Sequence, residues 1–243
     1  MPLSKKSGQA RNNEKSDKFK THHFNFKRDG GLILNMKDYK RITLLLIIHL
    51  WLTTSCNNSE TKLLSPIATQ NRIPSQIQLT EIGDFGIERK ARPGIPSHLH
   101  TGIDIKRPGN NYIHEPIFPI ATGTIISKRT DGPYAQLILE HKLQQDTFWT
   151  LYEHIAEILV EVGQSVGNDT EIARFFNREE LDQHGWQFDH FHFEILNTPP
   201  IPIQPSSSHP QRYFRSKTLE CFSQDELLSN FHDPVTFLKN DKD

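Results

Sequence analysis

The sequence has little cysteine, no apolar stretch long enough to cross a membrane, and no basic cluster in its C-terminal part. An apolar run at residues 42–52 covers 11 residues, whereas a membrane-spanning helix needs about 20. Residues 1–55 carry 11 Lys or Arg and 4 Asp or Glu, whereas residues 56–243 carry 17 and 25. Binding to a nucleic-acid backbone needs clustered basic side chains, so this acidic body argues against nucleic acid as a partner.

The short apolar run fits a secretion signal. Lys37, Lys40 and Arg41 precede it, and the small residues 53–55 follow it, directly before Cys56. This order resembles a bacterial lipoprotein signal peptide, which is cut before a cysteine that is then lipidated. Threonine replaces the usual leucine three places before the cysteine. Ordinary cleaved secretion and a buried hydrophobic helix are the alternative interpretations.

The resemblance to a lipoprotein signal sets expectations for the start and the location of the protein. Met36 begins the signal at residues 36–55, so we expect translation to start there and residues 1–35 to be disordered or not translated. The mature protein is then expected in the bacterial cell envelope, anchored to the outer membrane through lipidated Cys56 and facing the periplasm. Lipidation leaves Cys221 without a partner, so we expect no intrachain disulfide.

Beyond Cys56 the sequence predicts a tether followed by one β-rich domain. Residues 56–80 are rich in Asn, Ser, Thr, Pro and Gln, which indicates a linker, and residues 81–243 are assigned to the domain. Two helices are predicted, one at 169–181 and one after a capping box at 223–226. Short runs rich in β-branched and aromatic residues predict an all-β fold of antiparallel sheets. These runs lie at 117–128, 135–141, 147–154, 158–166 and 188–196.

The first candidate site motif is the segment from His100 to Asp104. If this segment is a strand, His100, Gly102 and Asp104 share one face, while Ile103 and Ile105 point into the core. An imidazole and a carboxylate then flank a residue without a side chain, which leaves room for an ion. Zinc takes both ligand types. A polar face of a surface strand is the alternative.

Two further motifs place histidines on predicted strands. His190 and His192 share a strand face, which fits one metal ligand and one neighbour that contacts water, or else a solvated edge. By the same alternation, Thr150, Tyr152 and His154 share a face. A single histidine at a strand end is more often structural than catalytic.

Together these segments resemble, in the same order, the lysostaphin/LytM-like zinc endopeptidases, which cut peptidoglycan cross-bridges and stem peptides. The resemblance spans about residues 80–238. It implies an antiparallel barrel-sandwich hybrid (duplicated hybrid motif) with short helices in insertions and a site in a groove on one sheet. The matching segments are DFG at 84–86, HTGIDI at 100–105, PIFPIATGTII at 116–126, LYEHI at 151–155, VEVGQSVG at 160–167, HFHFEI at 190–195 and DPVTFL at 233–238.

The family pattern assigns roles to five residues of this sequence. His100, Asp104 and His192 match the zinc ligands, and three protein ligands leave a fourth position for water. His154 and His190 match the catalytic pair. We assign His190 as the general base and His154 to the developing oxyanion, although the sequence does not decide which of the two is the base.

Two acidic residues and two insertions complete the comparison with the family pattern. Asp189 and Glu194 are near enough in sequence to fix imidazole tautomers, or else are solvated charges. Residues 168–189 and 197–232 are longer than the family connections and are expected to border the groove. The specificity of cleavage is therefore not transferred from the family.

The resemblance implies a zinc-dependent endopeptidase that hydrolyses peptide bonds in peptidoglycan stem peptides or cross-links, with peptidoglycan as its partner. One alternative is a zinc peptidase of secreted proteins or peptides. Another is a non-catalytic regulator of cell-wall amidases. Degenerate family members of that kind lack metal ligands, whereas all three ligands and both catalytic histidines are present here.

Overall fold

The computed structural model describes residues 62–143 and 145–240 of the chain. The predicted signal peptide at 36–55, its lipidation site Cys56 and the segment 1–35 lie outside the described residues. Within the described part, no helix has the length and apolar character needed to cross a bilayer.

The described residues form antiparallel sheets with only short helices, which confirms the predicted fold class. The strands are β1 (Glu88–Arg89), β2 (His98–Leu99), β3 (Ile103–Lys106), β4 (Pro116–Ile117), β5 (Gly123–Arg129), β6 (Gln136–Leu143), β7 (Asp146–Glu153), β8 (Ser165–Val166), β9 (Ala173–Arg174), β10 (His190–Leu196), β11 (Ile201–Pro202), β12 (Phe214–Arg215) and β13 (Phe231–His232). The helices are α1 (Arg178–His184), α2 (Gln224–Asn230) and α3 (Pro234–Asn240).

The largest sheet of the described residues is organised around β10. This strand pairs with β7 on one side and with β3 and β13 on the other, and the sheet continues from β7 through β6 and β5 to β8. All these pairings are antiparallel. The pairs β1–β2, β4–β9 and β11–β12 form small separate sheets.

One face of the large sheet holds the main core. Phe191, Phe193 and Ile195 alternate along β10 and are fully buried on this face. Ile103 and Ile105 of β3 are buried beside them, as the alternation predicts. Burial of one such side chain stabilises the fold by roughly 1.5–3 kcal/mol. The opposite face of β10 is therefore left for His190, His192, Glu194 and Leu196.

A second apolar cluster covers part of this opposite face. Leu196, Trp149 and Leu151 of the sheet pack there against Cys221 and Leu227, which come from the segment joining β10 to β13. Cys221 is buried and forms no disulfide among the described residues. The predicted insertion at 197–232 thus lies on the face that carries the predicted site.

The helix predicted at 169–181 starts too early. Ala173–Arg174 is strand β9, which pairs with β4, and helix α1 begins only at Arg178. Asn177 sets this start: its side chain accepts from the Glu180 backbone N–H, and the Glu180 carboxylate accepts from the Asn177 N–H. This reciprocal capping box satisfies two N–H groups that the first helical turn leaves unpaired.

The second predicted helix is present as α2. The Ser223 hydroxyl accepts from the Glu226 N–H at 3.2 Å. The Glu226 carboxylate accepts from the backbone N–H of Phe222 rather than from that of Ser223. One half of the predicted capping box is therefore formed, and the other half is shifted by one residue.

The domain begins before the predicted boundary at residue 81. Leu63 and Ile67, which fall in the predicted linker 56–80, are buried in the main core. Ile67 bridges to Ile117, and Leu79 bridges to Ile105. The described part of the predicted linker therefore belongs to the domain. The linker was predicted from the polar composition of this stretch, but its few apolar residues pack against β4 and β3.

Candidate active site

The three predicted ligands come together where β3 and β10 lie side by side. Asp104 of β3 is the cross-strand partner of His192 of β10, and His100 lies in the loop before β3. His100 Nε2 is 2.9 Å from His192 Nδ1, and both nitrogens are 3.1 Å from Asp104 Oδ1. All three side chains are buried. Two ring nitrogens and a carboxylate oxygen thus converge, as the ligands of one metal ion do.

In each of the two imidazoles, the ring nitrogen that points away from the group forms a hydrogen bond. His100 Nδ1–H donates to the Asp84 carbonyl oxygen at 2.8 Å, and His192 Nε2–H donates to Glu194 Oε1 at 3.1 Å. Carbonyl and carboxylate oxygens only accept, so each outer nitrogen carries the proton. In a neutral imidazole the inner nitrogen then carries a lone pair, and the two inner lone pairs face each other.

The inner atoms are three acceptors that repel one another unless a positive charge lies between them. A proton on His192 meets this need: burial lowers the His192 pKa, but hydrogen bonds with Asp104 and Glu194 outweigh burial and raise it to about 10. For Asp104, burial alone would raise the pKa, but hydrogen bonds with His100 and His192 outweigh burial and hold that pKa well below its usual range. The donor set fits Zn²⁺, which binds imidazole and carboxylate and competes with that proton.

Asp104 uses its two carboxylate oxygens differently. Oδ1 faces the ring nitrogens, whereas Oδ2 accepts from the Arg89 guanidinium at 2.6 Å. Arg89 lies on β1, which pairs with β2, directly before His100. The ion pair leaves Oδ1 facing the ring nitrogens of His100 and His192, and it links the β1–β2 hairpin to the site.

The two predicted catalytic histidines lie side by side next to the ligand group. His190 Nε2 is 3.8 Å from Asp104 Oδ1, and the ring centroids of His154 and His190 are 5.4 Å apart. Burial lowers the pKa of both histidines, that of His190 to about 4. Both imidazoles are therefore neutral at pH 7, the state in which an imidazole can accept a proton.

The alternation predicted for Thr150, Tyr152 and His154 is wrong at its last residue. Tyr152 is fully buried in the main core, on the face opposite to His190, whereas the His154 ring packs against His190. His154 follows β7 with a φ of +63°, a left-handed conformation that is rare for residues other than glycine. Its Nδ1–H donates to the Pro133 carbonyl oxygen. This backbone turn brings the imidazole to the site.

Aromatic side chains flank His154. The ring centroid of Phe188 lies 4.9 Å from that of His154, and Tyr134 lies 6.0 Å away. Tyr134 is 47% exposed, so this wall reaches solvent. Phe188 belongs to the segment 168–189, and this predicted insertion therefore borders the site.

The two acidic residues proposed as tautomer partners behave differently. Glu194 contacts His192. Asp189 instead accepts from Arg107 Nε at 2.9 Å and from the Tyr112 hydroxyl at 3.1 Å. Asp189 therefore anchors the entry to β10 rather than an imidazole.

A row of polar side chains crosses the sheet from the ligand group. His192 is paired with Glu153 of β7, Glu153 with Gln136 of β6, and Gln136 with Arg129 of β5. Cross-strand partners share a face and strands lie about 4.8 Å apart, so the row extends roughly 14 Å from the ligands. Gln136 Nε2 donates to Glu153 Oε2 at 2.8 Å. The floor beside the site is therefore charged and able to form hydrogen bonds.

Four contacts around the ligands were missed by the sequence analysis. Thr101 donates its hydroxyl to Glu194 Oε1 at 2.5 Å. Asp84 and Thr101 lie inside segments that match the family, so their position in those segments was a usable signal. Arg89 and Thr218 lie outside those segments, and Thr218 donates to Glu194 Oε1 across the fold at 2.8 Å. No local pattern marks these two residues as part of the site.

An antiparallel β domain with a His–Asp–His group beside a histidine pair defines the class of a candidate metallopeptidase. In the comparison with known families, the model of peptidase family M23 matches residues 98–205. This range contains the three predicted ligands and both predicted catalytic histidines, and the match confirms the family resemblance. No curated protein matches the chain.

Several solved structures are similar to this chain. A zinc-containing peptidase from Vibrio cholerae is 25% identical over 56% of this chain and 37% of that chain, with a TM-score of 0.38. The catalytic domain of lysostaphin from Staphylococcus simulans is 19% identical over 68% and 95%, with a TM-score of 0.40. LytU is 22% identical over 49% and 73%, with a TM-score of 0.34. The similarity thus spans little more than a third of the Vibrio cholerae chain.

Proposed function

We propose that this chain is a zinc-dependent endopeptidase that hydrolyses peptide bonds in the stem peptides or cross-links of peptidoglycan. The observation that carries the proposal is the convergence of three buried metal-type ligands beside two neutral histidines. The match to peptidase family M23 supports peptide-bond hydrolysis. Peptidoglycan as the substrate rests on the resemblance of the sequence motifs to wall-cutting endopeptidases.

Neighbouring side chains fix the positions of the three atoms that would hold the ion. His100, Asp104 and His192 would bind it through Nε2, Oδ1 and Nδ1. When bound, zinc supplies a Lewis acid that polarises the scissile carbonyl and lowers the pKa of water. Arg89 and Glu194 bind the outer atoms of Asp104 and His192, so that the inner atoms stay aimed at one point.

The geometry supports an exchange of the two histidine roles assigned from the sequence. His154 donates Nδ1–H to Pro133, so Nε2 of the neutral ring carries a lone pair and accepts a proton. A ring in this state cannot donate from Nε2 to a developing oxyanion. The Asp104 carboxylate near His190 Nε2 favours a proton there. We therefore assign the general base to His154 and oxyanion stabilisation to His190.

The two assignments differ in the pH dependence of kcat/KM at saturating zinc. His154→Ala and His190→Ala should each lower turnover by about 10²–10⁴-fold, and both should retain zinc because neither is a ligand. Removal of the base eliminates the acid limb of the profile, so that limb should vanish in His154→Ala and remain in His190→Ala. The opposite pattern restores the assignment made from the sequence. Zinc lost from His190→Ala would make His190 a ligand.

Digestion of purified peptidoglycan sacculi tests the proposed function. Zinc-loaded protein should release fragments with newly cleaved peptide bonds, identified by mass spectrometry, and folded His192→Ala should release none. Casein is digested in parallel. Cleavage of casein alone would identify a peptidase of proteins, and zinc-bound protein inactive on both substrates, but able to stimulate a cell-wall amidase, would identify a non-catalytic regulator.

We also propose, on the sequence alone, that the protein acts in the bacterial cell envelope, anchored to the outer membrane through lipidated Cys56. Fatty-acid labelling in growing cells should mark the wild type and not Cys56→Ser. Cell fractionation should find the wild type in the membrane fraction and the Cys56→Ser variant in the soluble fraction. Equal labelling of both proteins contradicts the anchor without bearing on the peptidase.

A further inference from the structure

Glu194 is a fully buried carboxylate that accepts hydrogen bonds from three separate parts of the chain. Its Oε1 accepts from His192 Nε2 at 3.1 Å, from the Thr101 hydroxyl at 2.5 Å and from the Thr218 hydroxyl at 2.8 Å. A buried charge needs such donors, because an unpaired one carries a large desolvation cost. The position of Glu194, and with it the His192 ring, therefore depends on both threonines.

Thr218 belongs to the segment 197–230 that joins β10 to β13. This segment packs on the site-bearing face of the sheet through the second apolar cluster. The Cys221 carbonyl accepts from the Leu99 N–H at 2.8 Å, one residue before His100. The segment thus contacts Leu99, next to His100, and Glu194, close to His192.

A local turn holds the Thr218 hydroxyl in place. The Ser216 hydroxyl accepts from the Thr218 N–H at 3.1 Å and forms a hydrogen bond with the Thr218 hydroxyl. Ser216 is itself buried. The chain of contacts then runs from Thr218 to Glu194 and from Glu194 to His192, whose other nitrogen faces the metal position.

We propose that Thr218 is a positioning residue of the metal site, through which the segment 197–230 and the bound metal stabilise each other. The inference rests on the proposed zinc site. Outer partners of a metal-bound histidine orient its ring and raise its basicity. Coupling between two binding events is reciprocal, so a segment that favours metal binding when docked is itself stabilised by the metal.

Zinc affinity of the full chain, measured by competition with a chelator, tests the role of Thr218. Thr218→Val removes the hydroxyl with little change in shape and should weaken zinc binding about tenfold. Thr218→Ser should restore it. Thr198→Val is the matched control, because Thr198 lies in the same segment but donates to Asn230. Unchanged affinity in Thr218→Val overturns the proposal.

Hydrogen exchange of the wild-type chain with and without zinc tests the coupling without any substitution in the segment. Zinc should slow amide exchange in 197–230, and His192→Ala should show no such change. Equal exchange rates in the wild type overturn the inference alone if the protein binds zinc and cleaves its substrate. A wild type that binds no zinc overturns both this inference and the proposed function.

Discussion

Gly102 lies between two of the ligands, and packing explains why it has no side chain. A Cβ atom there would lie 2.2 Å from the carbonyl oxygen of Phe193. The sequence suggested that this glycine leaves room for an ion, but the room is used by the backbone of β10. Close approach of the loop to β10 is what lets His100 and Asp104 reach His192.

Gly102→Ala should therefore destabilise the domain, because the new methyl group meets backbone rather than a movable side chain. We expect a loss of about 1–3 kcal/mol in the free energy of unfolding, measured by urea denaturation. Gly109→Ala is the control, since nothing lies within 4 Å of a Cβ atom at that position. Equal stability of the two variants would contradict the packing argument.

His141 is a buried histidine with a structural role. Its Nδ1–H donates to the Thr122 carbonyl at 3.0 Å, and its Nε2 accepts from the Thr150 hydroxyl at 2.8 Å. Burial lowers its pKa from the ordinary value of 6.5 to about 4. Between these two values the unfolded chain binds a proton that the folded state does not, so acid shifts the balance toward unfolding.

This difference predicts how stability depends on pH. The contribution of His141 to folding is complete above pH 6.5 and falls by roughly 3 kcal/mol as the pH drops toward 4. His141→Gln should show a correspondingly smaller loss of stability between pH 7 and pH 4.5. Urea denaturation in the presence of a chelator measures this without a contribution from metal. Parallel curves for wild type and variant would show that His141 is not the cause.

Elements were predictable where a local pattern defines them. The runs that became β6, β7 and β10 are rich in apolar residues, and the predicted bounds lie within a few residues of the observed ones. The run at 158–166 is strand only at Ser165–Val166, because a turn intervenes and Gly163 takes a φ of +87°. The pairing of β9 with β4 has no local signal in the sequence, and it makes Ala173–Arg174, inside the helix predicted at 169–181, a strand.

The capping box at Asn177 stabilises the start of helix α1. Phe188, which follows this helix in the chain, packs against His154. Asn177→Ala should destabilise the domain by about 1 kcal/mol and lower turnover, since Phe188 packs against the cluster that contains Leu181 of this helix. Asn177→Asp keeps a capping oxygen and should behave like the wild type. Urea denaturation and the cleavage assay measure the two effects. Full turnover in a destabilised Asn177→Ala would show that the wall does not depend on the cap.

Across the whole molecule, the sequence indicated the three predicted ligands and Glu194, which contacts His192, but it gave no signal for Arg89 or Thr218. His100, Asp104 and His192 belong to two short sequence motifs that can be recognised locally. The pairing of β3 with β10 then brings the two motifs together. Arg89 and Thr218 reach the site through the path of the chain, which leaves no periodic trace in the sequence. The same holds for the apolar residues of the predicted linker, whose contacts lie far along the chain.

A metal at this site would join the loop that holds His100 to two strands that are distant in sequence. If zinc binds the three convergent ligands of the folded state, it should stabilise folding by about 2.7 kcal/mol at 100 times its Kd, because the unfolded chain disperses these ligands. For a domain of this size that corresponds to a rise in Tm of roughly 5–11 °C. Calorimetry of the full chain should show this rise on adding zinc and its loss on chelation.

His192→Ala provides the control for the metal dependence of Tm, because two remaining ligands form an incomplete site. Its Tm should not respond to zinc, and elemental analysis of the folded variant should find most of the metal lost. A wild-type Tm that is the same with and without zinc would contradict the site. An equal shift in the variant would mean that zinc stabilises the chain at other residues, and the convergence of His100, Asp104 and His192 would then need another explanation.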